Sequence, residues 1–352
     1  GTDMKLFLKL TDEVIKQNLR QLVLFTFLYR LVAGIFYIKT VNSILRFSLH
    51  MAGYSYLTTG NLRAFLLRPV TVFAVIFILF LGMAFMLIET GAMITAYHSS
   101  IYLRGINVVS VFLGGMGAAV NEFRKKNWRL LFAVLGNYIL MNCYFLVRIL
   151  TRMKPVNFVL YEILHTAGTR MALVVGSVLL TVFSVPAMMV FFACMLEQKN
   201  FKDGIAESRR ILKGKWPRAV LLLVVLNLFL ILGLVLTYGA VMVIAAVLVT
   251  LFAKAYTATA VMATVSYRIE WLLLFIGSAV AVVTDFGAMT VLYHQFGGAS
   301  PIPVNEYDFP KNQEGYSRKR WFFTLTAVLS GISAFMVFDM MLLIMAILSV
   351  NL

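Results

Sequence analysis

Between Arg218 and Lys254 the chain carries no charged residue. Laid out as one helix at about 1.5 Å per residue, that run would reach near 50 Å, against a bilayer hydrocarbon core of about 30 Å. So long an uncharged segment points to a membrane interior, and the rest of the chain agrees. Of 352 residues, 61% are hydrophobic and 13% charged, where a soluble globular domain has roughly 45–50% and 25%. A soluble enzyme fold is excluded for most of the chain. The 31 Lys and Arg against 15 Asp and Glu give a net charge of +16. In a soluble protein that excess would suggest nucleic acid. In a chain this apolar it fits basic loops lying on anionic lipid headgroups, and no nucleic-acid partner is expected. Cys143 and Cys194 fall in apolar runs, so neither a disulfide nor a zinc site is expected.

Stretches of roughly 20 mainly apolar residues, the length a transmembrane helix needs, recur at 22–45, 70–96, 129–150, 171–196, 218–236, 240–263, 271–293 and 321–348. The sequence therefore predicts an all-α polytopic membrane bundle of about eight transmembrane helices over 22–352, with the long uncharged run folded back at Thr237-Tyr238-Gly239. Ahead of it, residues 4–21 place Phe7, Leu10 and Val14, then Ile15, Leu19 and Leu22, at helical spacing amid charges. An amphipathic helix lying in the interface has that pattern, and so do the first turns of an ordinary span. Gly1-Thr2-Asp3, ahead of Met4, reads as a cloning remnant.

Trp128, Trp216, Trp271 and Trp321 open predicted spans, each with Lys or Arg just before it. Indole rings settle at headgroup depth and cations snorkel to phosphates there, so these tryptophans read as interfacial anchors. Most Lys and Arg of the connections fall on the side of the amino terminus and of the loops near 97–128, 197–217 and 264–270. That excess predicts both termini in the cytoplasm. Residues 99–121, apolar but interrupted by Gly114, Gly115 and Gly117, are expected as a helix along the cytoplasmic face. Residues 197–218 set Phe201, Ile205, Ser208 and Leu212 on one helical face and Lys202, Arg209, Arg210 and Lys213 elsewhere. This pattern predicts a short amphipathic elbow, stopped by Lys213-Gly214, with Pro217 opening the next span. Residues 297–320, with three prolines, read as an irregular extracellular loop.

Arg30, Glu89, Arg148, Asp285 and Asp339 lie inside predicted spans. An Arg or Asp in hydrocarbon costs about 2.5–3.5 kcal/mol on insertion scales, so each is expected to face protein or water, as a structural ion pair or as a ligand to a polar headgroup or ion. Matching depths pairs Arg30 with Glu89 or Asp339, and Arg148 with Asp285. His50, His98, His165 and His294 are scattered, outside any HExxH or Cys/His cluster. Gly114-Gly115-Met116-Gly117 lacks the preceding strand and the following Gly-Lys-Ser/Thr of a phosphate loop. No catalytic, cofactor-binding or metal-ligating residue is expected.

The stretch from Gly53 to Thr71 (GYSYLTTGNLRAFLLRPVT), running into a span with Glu89, and the elbow Leu196-Glu197 through Phe201, Ser208 and Leu212-Lys213-Gly214-Lys215 resemble the membrane domain that precedes the catalytic domain in bacterial membrane-anchored glycerophosphodiester phosphodiesterases. The resemblance covers nearly the whole chain from Met4. It implies an anchor in the bacterial plasma membrane that positions lipid or substrate, partnered by its own C-terminal catalytic domain. That domain is a TIM-like barrel that opens with His-Arg-Gly and uses a divalent metal to hydrolyse a glycerophosphodiester to a glycerol phosphate and an alcohol. No His-Arg-Gly occurs here, and the chain stops at Leu352, about where the barrel would begin. The expectation is an isolated membrane domain that does not hydrolyse glycerophosphodiesters by itself. Two other classes stay open. One is a transporter or permease subunit whose elbow docks on a cytoplasmic ATPase; the other is a structural membrane protein without a ligand. Acid–base pairs around a wet cavity favour a ligand-handling role, and fully packed neutral pairs favour the structural one.

Overall fold

A computed structural model describes residues 2–56, 58, 60–101, 106–141, 143–151, 154–297 and 337–349, and among them every regular element is a helix. The first, α1 (Thr2–Ala52), takes in both the amphipathic stretch and the first predicted span without a break. No proline occurs in it, and it ends at Gly53, which adopts φ 75°. There the amides of Gly53 and Tyr54 bond back to the carbonyls of His50 and Leu49, both at 3.0 Å, a left-handed glycine cap. Next come α2 (Leu62–Leu66) and α3 (Pro69–Ile101), the latter opened by a proline whose missing N–H costs nothing at a helix start.

The helix α4 (Val108–Arg124) is started by a capping box. The Asn107 side chain accepts from the Ser110 amide at 2.7 Å, and Ser110 Oγ accepts from the Asn107 amide at 3.0 Å. A helix is expected over 99–121, and α4 runs antiparallel along the second half of α3, with Gly114 against Thr95, Gly115 against Ile88 and Ala92, and Ala118 against Gly91. Small residues at these four positions let the two backbones approach, which turns an apolar connection into a packed hairpin.

Beyond it, the predicted span at 129–150 is helical over Trp128–Met141 (α5) and Cys143–Leu150 (α6), on either side of residue 142, which lies outside the described residues. The helix α7 (Lys154–His165) leads to α8 (Ala167–Ser184). The span predicted at 171–196 is divided at Pro186, which sits in a single 3-10 turn, Val185–Ala187, before α9 (Val190–Leu196). The elbow is α10 (Phe201–Leu212), buried along Phe201, Gly204, Glu207, Ser208, Ile211 and Leu212 and stopped as expected at Lys213-Gly214, where Gly214 has φ 72°.

The largest correction concerns the uncharged run. The hairpin expected at Thr237-Tyr238-Gly239 does not form: α11 (Trp216–Phe252) is one continuous helix, and the chain turns instead at Ala253-Lys254, where charge returns. A turn inside hydrocarbon would leave amides and carbonyls unsatisfied, whereas a continuing helix satisfies each of them. As a result α12 (Ala255–Gln295) contains both the tail of the predicted 240–263 span and all of 271–293. The stretch near 264–270, read as a loop, is mid-helix, and so is Trp271. The last described helix is α13 (Val337–Ser349), on the span predicted at 321–348; Trp321 lies outside the described residues.

Five helical segments among the described residues are long and apolar enough to cross a membrane: Asn18–Ala52, Pro69–Ser99, Ala167–Leu196, Trp216–Phe252 and Ala255–Gln295. The core gathers at one end of the bundle, around the first half of α1, the second halves of α3 and α12, α4, α5, α9, α10 and the start of α11. Toward the other end the helices expose Val32, Phe36, Phe73, Phe229, Leu236 and Leu251, a surface suited to lipid rather than water. The end of α12 returns to the elbow: Arg210 Nη2 donates to the Gly297 carbonyl at 3.1 Å and Lys215 Nζ to the Phe296 carbonyl at 3.4 Å. Gly297, expected to open a loop on the opposite side, therefore begins beside α10, because the missing hairpin removes one crossing.

Candidate functional site

A cavity of about 250 Å³ lies between α1, α3 and α12, with Tyr138 of α5 also in its lining. Helical periodicity builds its walls. Tyr29, Arg30, Ala33, Gly34 and Tyr37 recur along one face of α1, and Gly82, Phe85, Met86 and Glu89 along one face of α3. Two tyrosines fasten these faces together: Tyr29 Oη donates to the Phe85 carbonyl at 2.6 Å, and Tyr37 Oη to the Ile78 carbonyl at 3.0 Å. Gly34 leaves the space open, since an added Cβ there meets nothing within 4 Å, whereas one on Gly82 would meet Tyr37 Oη at 3.0 Å.

Arg30 and Glu89 form an ion pair in this wall, with Arg30 Nε 3.0 Å from Glu89 Oε1 and side-chain exposures of 12% and 4%. Ser278 Oγ of α12 accepts from Arg30 Nη1 at 3.4 Å, and Arg30 Nη2 is buried with no hydrogen-bond partner among the described residues. On all three helices this level marks a change. Residues on the α1 side after Arg30, on the α3 side before Glu89 and on the α12 side before Ser278 include exposed apolar side chains, while the opposite sides run into the core.

The other predicted pairing does not form. Arg148 bonds Glu270 of α12, and Asp285, fully buried, accepts from Asn227 Nδ2 of α11 at 2.7 Å. The expectation matched depths on a span too many; with α12 unbroken, Glu270 rather than Asp285 comes level with Arg148. Asp339 lies on α13, its side chain outside the described residues. Trp128 and Trp216 open α5 and α11 and are about half exposed, as anchors would be, while Trp271 lies within α12 and opens nothing.

A second polar cluster, not anticipated from the sequence, braces the elbow. Lys125 Nζ, nearly buried, lies 2.6 Å from Glu122 Oε1 and donates to the Cys194 carbonyl at 2.8 Å. Asn127 Nδ2 donates to Glu122 Oε2 at 3.0 Å, and Asn127 Oδ1 accepts from the Phe201 amide at 3.2 Å. Next to it, Lys199 bridges Glu197 (2.8 Å) and Glu207 (3.1 Å), Glu207 holds Arg210, and Tyr293 donates to Glu197. Hydrogen bonds from Arg210, assisted by Lys199, hold the Glu207 carboxyl below its ordinary range despite the opposing effect of burial. Burial works against the Lys199 ammonium, but Glu197 and Glu207 outweigh it and raise its pKa. Spacing within 121–127 could have flagged this cluster, yet its partners come from 194–210 and from α12. Among the described residues no three His, Cys, Asp or Glu side chains gather as a metal ion would need.

No curated protein and no solved structure matches the chain. Residues 8–332 match the family model described as the membrane domain of glycerophosphoryl diester phosphodiesterase, which spans nearly all the helices above, and the chain belongs to that family.

Proposed function

We propose that this domain holds a glycerophosphodiester phosphodiesterase at the bacterial cell membrane and presents membrane-borne substrate to it. One observation carries the reading: an ion pair stands in the wall of a cavity whose neighbouring helix faces are exposed and apolar. A group arriving through lipid would leave hydrocarbon there for a polar site. A domain that served only as an anchor gains nothing from such a cavity, because apolar side chains filling it would avoid the desolvation of both charges. The phosphodiester cleavage and its divalent metal belong to the catalytic domain that the family resemblance implies, and no step is assigned to residues of this chain. In this reading the amino terminus and the elbow face the cytoplasm.

The test replaces the membrane domain of the parent phosphodiesterase with an unrelated single-span anchor. Turnover of a water-soluble glycerophosphodiester should be unchanged, while kcat/KM on a vesicle-borne one should fall by about tenfold or more, the usual loss when a substrate-positioning contact is removed. Equal activity of both proteins on the vesicle-borne substrate would leave anchoring as the only role.

A further inference from the structure

Resting on that positioning role, we propose that the cavity between α1, α3 and α12 binds a zwitterionic phospho-ammonium headgroup, of the phosphocholine or phosphoethanolamine type. The argument begins with charge. Arg30 and Glu89 neutralise each other in a buried wall, so a ligand bringing a net charge would leave that charge uncompensated at low dielectric. A zwitterion leaves the site neutral and can place its phosphate on the cation and its ammonium toward the acid. Donor count agrees. Glu89 occupies Nε and Ser278 accepts from Nη1 at 3.4 Å. The Arg30 side chain keeps 12% exposure, and the second N–H of Nη1 is a charge-assisted donor of the kind a phosphate oxyanion takes.

The rest of the lining points to the ammonium end. Tyr29, Tyr37, Phe85, Tyr138 and Phe275 supply five aromatic rings to one small space, and rings gathered around a cavity are the usual protein device for alkylammonium groups. At about 250 Å³ the cavity lies below the roughly 300–1,000 Å³ of drug-sized ligand sites, so it suits a headgroup and leaves acyl chains outside. Phe36, 57% exposed and packed edge-on against the lining Phe85 at a centroid distance of 6.0 Å, offers apolar surface for them next to the cavity. The same headgroup chemistry occurs in a phospholipid and in a free glycerophosphodiester, and the experiment separates the two.

The full chain, purified in uncharged maltoside micelles, is titrated by equilibrium dialysis with short-chain phosphatidylcholine, phosphatidylglycerol, diacylglycerol and glycerophosphocholine. Saturable binding of phosphatidylcholine, about tenfold tighter than phosphatidylglycerol or diacylglycerol, is the expected result. Glycerophosphocholine binding as tightly would make the water-soluble diester the occupant, and its failure to bind would make it the lipid. The double variant Arg30→Gln/Glu89→Gln, which keeps both positions polar but removes the zwitterion's charged partners, should lose about tenfold in affinity. Gly34→Leu fills the cavity with both charges in place, in space where an added Cβ meets nothing within 4 Å, and should abolish binding without lowering Tm. The proposal is overturned by equal affinity for phosphatidylglycerol, by wild-type affinity in either variant, or by no saturable binding. Loss of the positioning role in the anchor-swap experiment, with headgroup binding intact, would refute that role and leave the site standing.

Discussion

Glu207 is gripped by the guanidinium of Arg210 and approached by Lys199 at 3.1 Å, on a helix whose other face carries the elbow's cations. Its carboxyl is held below the ordinary value of 4.5, so the unfolded chain takes up its proton before the folded one does. The stability this supplies is fully present above that pH and disappears as pH falls through the lower folded value. Thermal melts between pH 7 and pH 3 should show a drop that Glu207→Gln flattens at its acid end; an unchanged acid limb would place the sensitivity in another carboxylate. At this scale the sequence exposes a costly charge more readily than its partner. Depth matches Arg30 with Glu89 because each lies well inside one continuous helix. Arg148 and Asp285 were mismatched, because depth on α12 depended on a hairpin that does not exist. Tyr29 and Tyr37, which line the cavity, and Ser278, which bonds Arg30, carry no charge, so nothing in the sequence marks their place.

For the elements, the helical periods, the elbow and its Gly214 stop, and the opening at Trp216-Pro217 are legible, since caps and breakers act within a few residues. What escaped was continuity. Gly239 looked like a turn residue, yet an isolated glycine in hydrocarbon is kept helical by the cost of freeing its backbone. The reverse holds at α3 and α4, where glycine is obligatory. A Cβ on Gly115 would stand 2.5 Å from the Ile88 carbonyl oxygen and 2.8 Å from Ala92 Cβ, and a backbone carbonyl cannot step aside. Gly115→Ala should cost about 1–3 kcal/mol, read as a lowered Tm in detergent. Gly239→Ala, where nothing lies within 4 Å, should leave Tm unchanged or slightly raised. Equal tolerance at both positions would show that α3 and α4 do not pack this closely.

For the whole molecule, orientation is the property most open to direct measurement. The elbow exposes Lys202, Arg209 and Lys213, while Ser55 lies beyond the far end of α1; both native cysteines are buried and so silent. In intact cells an impermeant maleimide should label Ser55→Cys and spare Lys202→Cys, and the opposite pattern would invert the protein in its membrane. The unbroken α11 carries a consequence of its own. Its 37 residues span about 55 Å as a straight helix, nearly twice the roughly 30 Å of an average hydrocarbon slab. Hydrophobic mismatch of that size is relieved by tilting, by protein cover over part of the helix, or by a thicker bilayer. The fold supplies the cover on its packed half, and the remaining excess makes the domain a gauge of membrane thickness. In nanodiscs of lengthening acyl chains its melting temperature should climb, and insensitivity to chain length would mean that tilt alone absorbs the surplus.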